Sequence, residues 1–172
     1  MKLRFWRNLP MPYALLALVL VILDQVVKYL VLTHIPLGGY VPFLPHVVCL
    51  TYVQNTGAAF SMFSQHTWIL AFISLVMSVV LAVALWKNFF THPLGKVTLS
   101  LLLAGAVGNL IDRAMRGFVV DMFQLLFMNF AVFNVADICV VVGGIAAAAY
   151  YLLLADKLEH KEAPHGTADA DR

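Results

Sequence analysis

Up to residue 155 the chain contains no glutamate, and its only carboxylates there are Asp24, Asp112, Asp121 and Asp137. Charged residues of all kinds make up 12% of the sequence, about half the roughly 25% typical of soluble domains. So little charge cannot cover a water-facing surface, and the exterior is expected to face lipid. The net charge is only +2 and no basic run is interleaved with aromatics, which argues against nucleic acid as a partner. Cysteine is scarce as well. Cys49 and Cys139 form neither a CxxC nor a Cys/His cluster, so no metal site is expected and both read as small apolar residues. HExxH and Gly-x-Ser-x-Gly are missing, and His34, His46, His66, His92, His160 and His165 are scattered. Metal-dependent and serine hydrolases are therefore poorly supported. No strand precedes the glycine pairs, so a phosphate loop is not indicated either, and no cofactor is expected.

What the chain has in abundance is apolar length: 62% of its residues are hydrophobic and its mean hydropathy is +0.88. A spanning helix needs about 20 mostly apolar residues. Four stretches qualify, at about 13–33, 67–86, 97–114 and 135–155. The first is broken by Asp24, Gln25 and Lys28, and the third runs from a leucine-rich stretch into a polar, glycine-containing end. The expected fold is an all-α membrane protein of four transmembrane helices, forming a single domain over residues 1–155.

Lys and Arg in short loops set orientation. Lys2, Arg4, Arg7, Lys87, Lys96, Lys157 and Lys161 fall on one side if there are four spans, and no Lys or Arg lies between Thr33 and Thr67. Both termini are therefore expected in the cytoplasm. Trp68 and Trp86 bracket the second span, as interfacial aromatics do. The basic start followed by Tyr13–Leu23 resembles a cleaved leader, but no small-x-small site follows and Asp24 to Lys28 continue the same helix. Residues 156–172 hold five of the nine acidic residues and read as a disordered cytoplasmic tail.

Ionisable groups at membrane depth are costly, so each is a candidate functional residue. Asp24 and Lys28 stand four apart with the acid first, the favourable arrangement for a structural pair. Gly105 and Gly108 permit close helix approach, while Asn109 and Asp112 share a helical face beside Arg113. Asp121 and Asp137 have no basic neighbour in sequence. With alternating topology both sit near the same non-cytoplasmic edge. Two carboxylates in an apolar site can share one proton, one serving as base toward water and the other polarising a carbonyl. From spacing alone, proton-coupled transport remains an alternative, with Asp24, Asp121 and Asp137 as relay sites. A purely structural subunit would explain the glycines but not the two unpaired acids.

The segments Asp24–Lys28, Asn55–Phe60, Gly105–Arg113, Val119–Asp121 and Phe133–Asp137 resemble, in order, the motifs of the lipoprotein signal peptidase (signal peptidase II) family. They are spread from the first span to the last. The resemblance implies an aspartyl endopeptidase of the bacterial inner membrane. It would cleave signal peptides from prolipoproteins just before a cysteine carrying diacylglycerol, with its active site on the periplasmic side. It also implies that Asp121 and Asp137 form the catalytic dyad, and that Asn55, Gly57, Asn109, Asp112, Arg113 and Asn134 surround the substrate. By the same match Asp24 and Lys28 support the site. Neither a metal, a cofactor nor an obligate protein partner is implied; the partners are the lipidated substrate and membrane lipid.

The family also carries a small periplasmic β-rich cradle after the first helix. The residues point the same way: Tyr40–Phe43 and Val47–Val53 are β-branched and aromatic runs, with glycines at 38, 39 and 57 as turn signals. The apolar segment Asp121–Phe130 reads equally as an interfacial lid or as a plain connection.

Overall fold

The computed structural model describes residues 10–57 and 67–154. The tail expected at 156–172 and the Ala58–Phe60 end of the second motif lie outside the described residues. Helix α1 spans Met11–His34, α2 Thr67–Trp86, α3 Pro93–Arg116 and α4 Val135–Ala149, which continues as a π-helical turn, Tyr150–Leu154. All four are long and apolar enough to cross a membrane, counting α4 through Leu153.

Local chemistry sets where these helices begin and end. Pro12 occupies the first turn of α1, where a missing N–H costs nothing. The helix stops before Ile35-Pro36, because the residue ahead of a proline is pushed from helical to extended backbone; Ile35 has φ −116° and ψ 119°. Helix α3 opens at Pro93, four residues earlier than its hydrophobic pattern suggests, with the His92 side chain accepting the Leu94 N–H. It closes at Gly117, whose φ of +78° is the left-handed conformation that ends helices without a Cβ penalty.

Three strands pack beside the helix ends: β1 (Tyr40–Leu44), β2 (Val48–Asn55) and β3 (Val119–Leu125), antiparallel in the order β1-β2-β3. The third strand departs from the lid-or-loop expectation for the segment that begins at Asp121. Val119-Val120-Asp121-Met122-Phe123 is β-branched and apolar enough to cover the free edge of β2, which would otherwise leave a row of backbone groups unpaired. Val31 of α1, Ile35 just after it, Tyr52 of β2, and Val120 and Met122 of β3 form one buried cluster, which fixes the sheet to the end of α1.

Helix α3 is central, packing on α1, α2 and α4. Its glycines make that possible. A Cβ at Gly105 would collide with the Ala136 carbonyl oxygen, and one at Gly108 would lie 2.7 Å from Asp24 Oδ2. The chain is thus drawn tight where α1, α3 and the start of α4 meet.

Candidate active site

Asp121 enters the site from β3. In the β2–β3 register Val53 faces Asp121 and Asn55 faces Val119, so Asn55 and Asp121 are diagonal neighbours on the ladder. Asn55 Nδ2 donates to Asp121 Oδ2 at 2.9 Å. The other end of that amide is also fixed, because Asn55 Oδ1 accepts the Gly57 N–H at 2.9 Å.

Asp137 enters from the first turn of α4. Asn134 is the N-cap: its Oδ1 accepts the Asp137 N–H at 2.9 Å, and Asp137 Oδ2 accepts the Asn134 N–H at 3.1 Å, a reciprocal capping box. Since Asn134 Oδ1 is occupied by the helix end, its amide nitrogen points the other way. It donates to Asp121 Oδ1 at 2.6 Å and to Asn109 Oδ1 at 3.2 Å. Asn134 therefore bonds both acids, one through its side chain and one through its backbone.

Asn109 completes the ring by donating from Nδ2 to Asp137 Oδ1 at 2.8 Å. Behind it lies a buried ionic cluster. Lys28 Nζ sits 2.9 Å from Asp24 Oδ2, 3.0 Å from Asp112 Oδ2 and 3.1 Å from Asn109 Oδ1, with no exposed side-chain surface. Asp24 Oδ1 also accepts the Ala136 N–H, one residue before Asp137. Asp112 pairs with Arg116 and accepts the Val120 N–H at 3.0 Å, tying α3 to β3 one residue from Asp121. Although adjacent to Arg113 in sequence, Asp112 takes its partners elsewhere, because consecutive helix residues point in different directions.

Arg113 instead faces a cavity of about 430 Å³ lined also by Asn55, Asn109, Asp121 and Asp137, with an apolar wall that includes Ile138, Val140 and Val141 of α4. Its Nη1 reaches Ser74 Oγ at 3.4 Å, while Nε is buried without a hydrogen-bond partner among the described residues. Asp112 and Asn134 do not line this cavity; both are fully buried behind it. A second cavity, of about 340 Å³, meets the other side of Asp121 and is bordered by Gln54, Asn55, Thr56, Gly57 and Asn129. Burial, and then the charge of Asp137, push the Asp121 carboxyl up to about 6, against the pull of the Asn55 and Asn134 hydrogen bonds and the Lys28 charge.

Two participants were not singled out from the sequence. Gln25 Nε2 lies within hydrogen-bond distance of Asp24 Oδ2, the Gly108 carbonyl and Asp112 Oδ1. Arg116 stands four residues after Asp112, a spacing that could have identified it as the acid's partner. Cys49 and Cys139 are free and buried.

The sequence and the fold are both similar to those of known proteins. The family model described as signal peptidase (SPase) II matches residues 16–153. The lipoprotein signal peptidase of Enterococcus faecalis is 44% identical, covering 90% of this chain and 95% of its own. That of Streptococcus pneumoniae is 46% identical over 76% of this chain and 85% of its own. Among solved structures, a bacterial membrane enzyme determined in meso at 2.3 Å aligns with a TM-score of 0.76 at 29% identity, covering 94% of each chain. A second, at 1.9 Å, aligns with a TM-score of 0.75 at 32% identity, over 83% of this chain and 93% of its own. These relationships do not support the transporter alternative. The chain is a multi-pass membrane protease belonging to the signal peptidase II family.

Proposed function

We propose that the chain is an aspartyl endopeptidase that removes the signal peptide from prolipoproteins, cutting immediately before a cysteine that carries diacylglycerol. The observation that carries this reading is the joint placement of Asp121 and Asp137: both line one cavity, and Asn134 bonds both. The apolar α4 wall of that cavity suits a substrate whose acyl chains stay in lipid. Leaving them there avoids an extraction that would cost about 0.8 kcal/mol per CH₂.

In the proposed reaction, Asp121 carries the dyad's proton and Asp137 is the base. A water between them gives a proton to Asp137 as its oxygen bonds to the scissile carbonyl carbon, while Asp121 gives its proton to the carbonyl oxygen. On collapse, Asp137 passes its proton to the amide nitrogen and the C–N bond breaks. A hydroxyl proton of the intermediate returns to Asp121, and the dyad is restored. Asn55, Asn109 and Asn134 hold the carboxylates, and Arg113 offers donors to the substrate's backbone. Gly57 fixes Asn55, and Asp24, Lys28 and Asp112 support the site from behind.

The proposed setting is a single domain in the cytoplasmic membrane, and the distribution of Lys and Arg supports an orientation with both termini inside and the dyad on the far side. The test is single replacement of Asp121 or Asp137 by Asn, followed by assay of a diacylglyceryl-modified prolipoprotein. Cleavage is expected to stop in both variants, and near-normal cleavage in either would exclude the dyad. Efficient cleavage of an unlipidated precursor would exclude the lipid requirement.

A further inference from the structure

Three amides donate to the acids, and each could in principle turn either face toward its carboxylate; that of Asn55 is held by the Gly57 N–H. An amide that presented its oxygen would set lone pairs against a carboxylate instead of a donor. Asn134 is held by the end of α4, as described above. Asn109 lies within a helix, and its orientation depends on what its Oδ1 meets. That oxygen faces Lys28 Nζ at 3.1 Å and Asn134 Nδ2 at 3.2 Å, both donors only. The nitrogen is thereby left to point at Asp137 Oδ1, 2.8 Å away. Lys28 is in turn held in place by Asp24 and Asp112 on its other side.

We propose that Lys28 is a positioning residue for catalysis: acting through Asn109, it fixes the side-chain amide that donates to Asp137 and keeps Asp137 as the base of the dyad. This rests on the dyad reading above and adds to the supporting role of Lys28 a directional one. The cation is one amide group removed from the reacting carboxylate, so it also polarises the bond that Asn109 makes. The charged groups around the pair are Asp24 and Lys28 of α1, Asp112 and Arg113 of α3, and Asp121 of β3. Lys28 is the cation bonded to Asn109.

The experiment is a double-mutant cycle on the full-length enzyme in detergent, with a diacylglyceryl-modified prolipoprotein peptide as substrate. Lys28→Met should lower kcat by about 100-fold, the scale of a misplaced acid–base group, with KM little changed. Combined with Asn109→Ala, the same Lys28→Met change should cost less than about threefold more, because its route to Asp137 is already cut. Independent, multiplying effects would overturn the proposal.

Should Lys28→Met fail to fold, Asn109→Asp answers the question with Lys28 in place. It is isosteric, keeps an oxygen for Lys28 and replaces the donor to Asp137 with an acceptor. Its kcat should fall by about 100-fold, and the basic limb of its pH profile should move to higher pH. Wild-type kcat and an unmoved profile in Asn109→Asp would overturn the inference. The dyad itself is tested apart from this, since Asp121→Asn and Asp137→Asn must be inactive whichever way Asn109 behaves.

Discussion

Asp24 Oδ1, on the first helix, accepts the backbone N–H of Ala136 in the first turn of the last helix at 2.9 Å. The first turn of a helix has N–H groups with no partner inside it. Here one is capped by its own Asn134 and another by a residue more than a hundred positions away. Asp137 of the proposed dyad is the next residue, so its place depends on a contact between the first and last helices.

Replacing Asp24 with Ala removes that cap and one of the two carboxylates on Lys28, while Asp112 remains. The expected loss of stability is about 2 kcal/mol, read as a lower unfolding temperature of the detergent-solubilised protein. Activity should fall along with it.

The glycines of α3 make a second prediction. Ala at Gly108 would press on Asp24 Oδ2 and the Ala136 methyl, and Ala at Gly105 on the Ala136 carbonyl. Either should cost about 1–3 kcal/mol and reduce turnover by displacing the start of α4. Gly144→Ala is the control, since a Cβ there meets nothing within 4 Å. Equal effects at all three positions would contradict this account.

The pH dependence follows from Asp121, raised from 3.8 to about 6. Between those values the folded protein holds a proton that the unfolded chain has released. The stabilisation is complete below about pH 4 and is lost as pH rises through about 6. Asp121→Asn escapes that loss, so its melting temperature relative to the unchanged protein should rise from about pH 4 to about pH 8. For catalysis, the basic limb of kcat/KM should fall near or above pH 6, where the free enzyme's dyad gives up its proton.

Donor removal should rank the asparagines. Asn55→Ala takes one hydrogen bond from Asp121 and should reduce kcat by about tenfold, the worth of roughly 1.4 kcal/mol. Asn134→Ala takes a bond from Asp121, frees Asn109 and uncaps α4, so its loss should exceed 100-fold, within the range for acid–base groups. Kinetics on purified variants checks the order, and a larger effect at Asn55 would reverse the argument.

How far the sequence alone reaches is clear from particular residues. The four helices were legible because hydrophobic length needs no tertiary information, and the Asp24–Lys28 pair because i,i+4 spacing is a property of one helix. Asp121 and Asp137 stood out by having no neighbouring base. Strand β3 was not legible: Val119–Leu125 is short and apolar, and only the open edge of β2 decides that it pairs. One partner of Asp112 was hidden for a related reason: Lys28 reaches it from another helix, whereas Arg116 stands one turn further on at a spacing the sequence does show. Asn134 is oriented by its own capping box and Asn55 by the Gly57 N–H, but Asn109 is oriented by Lys28 and Asn134 from other parts of the chain, and no local pattern encodes that.

The ion pair inside α1 has a consequence for how the protein is made. The segment carrying Asp24 and Lys28 is synthesised before its partners on α3, since Asn109 and Asp112 come later in the chain. A lone lysine there would be expensive in hydrocarbon. Because Asp24 stands four residues away and bonds it directly, α1 carries within itself a countercharge for its lysine. Only when α3 inserts does Lys28 gain its second carboxylate, and only when α4 follows does Asp24 find the Ala136 N–H. The order of translation is therefore also the order in which the partners of Asp24 and Lys28 become available, and the last of them comes with the last helix.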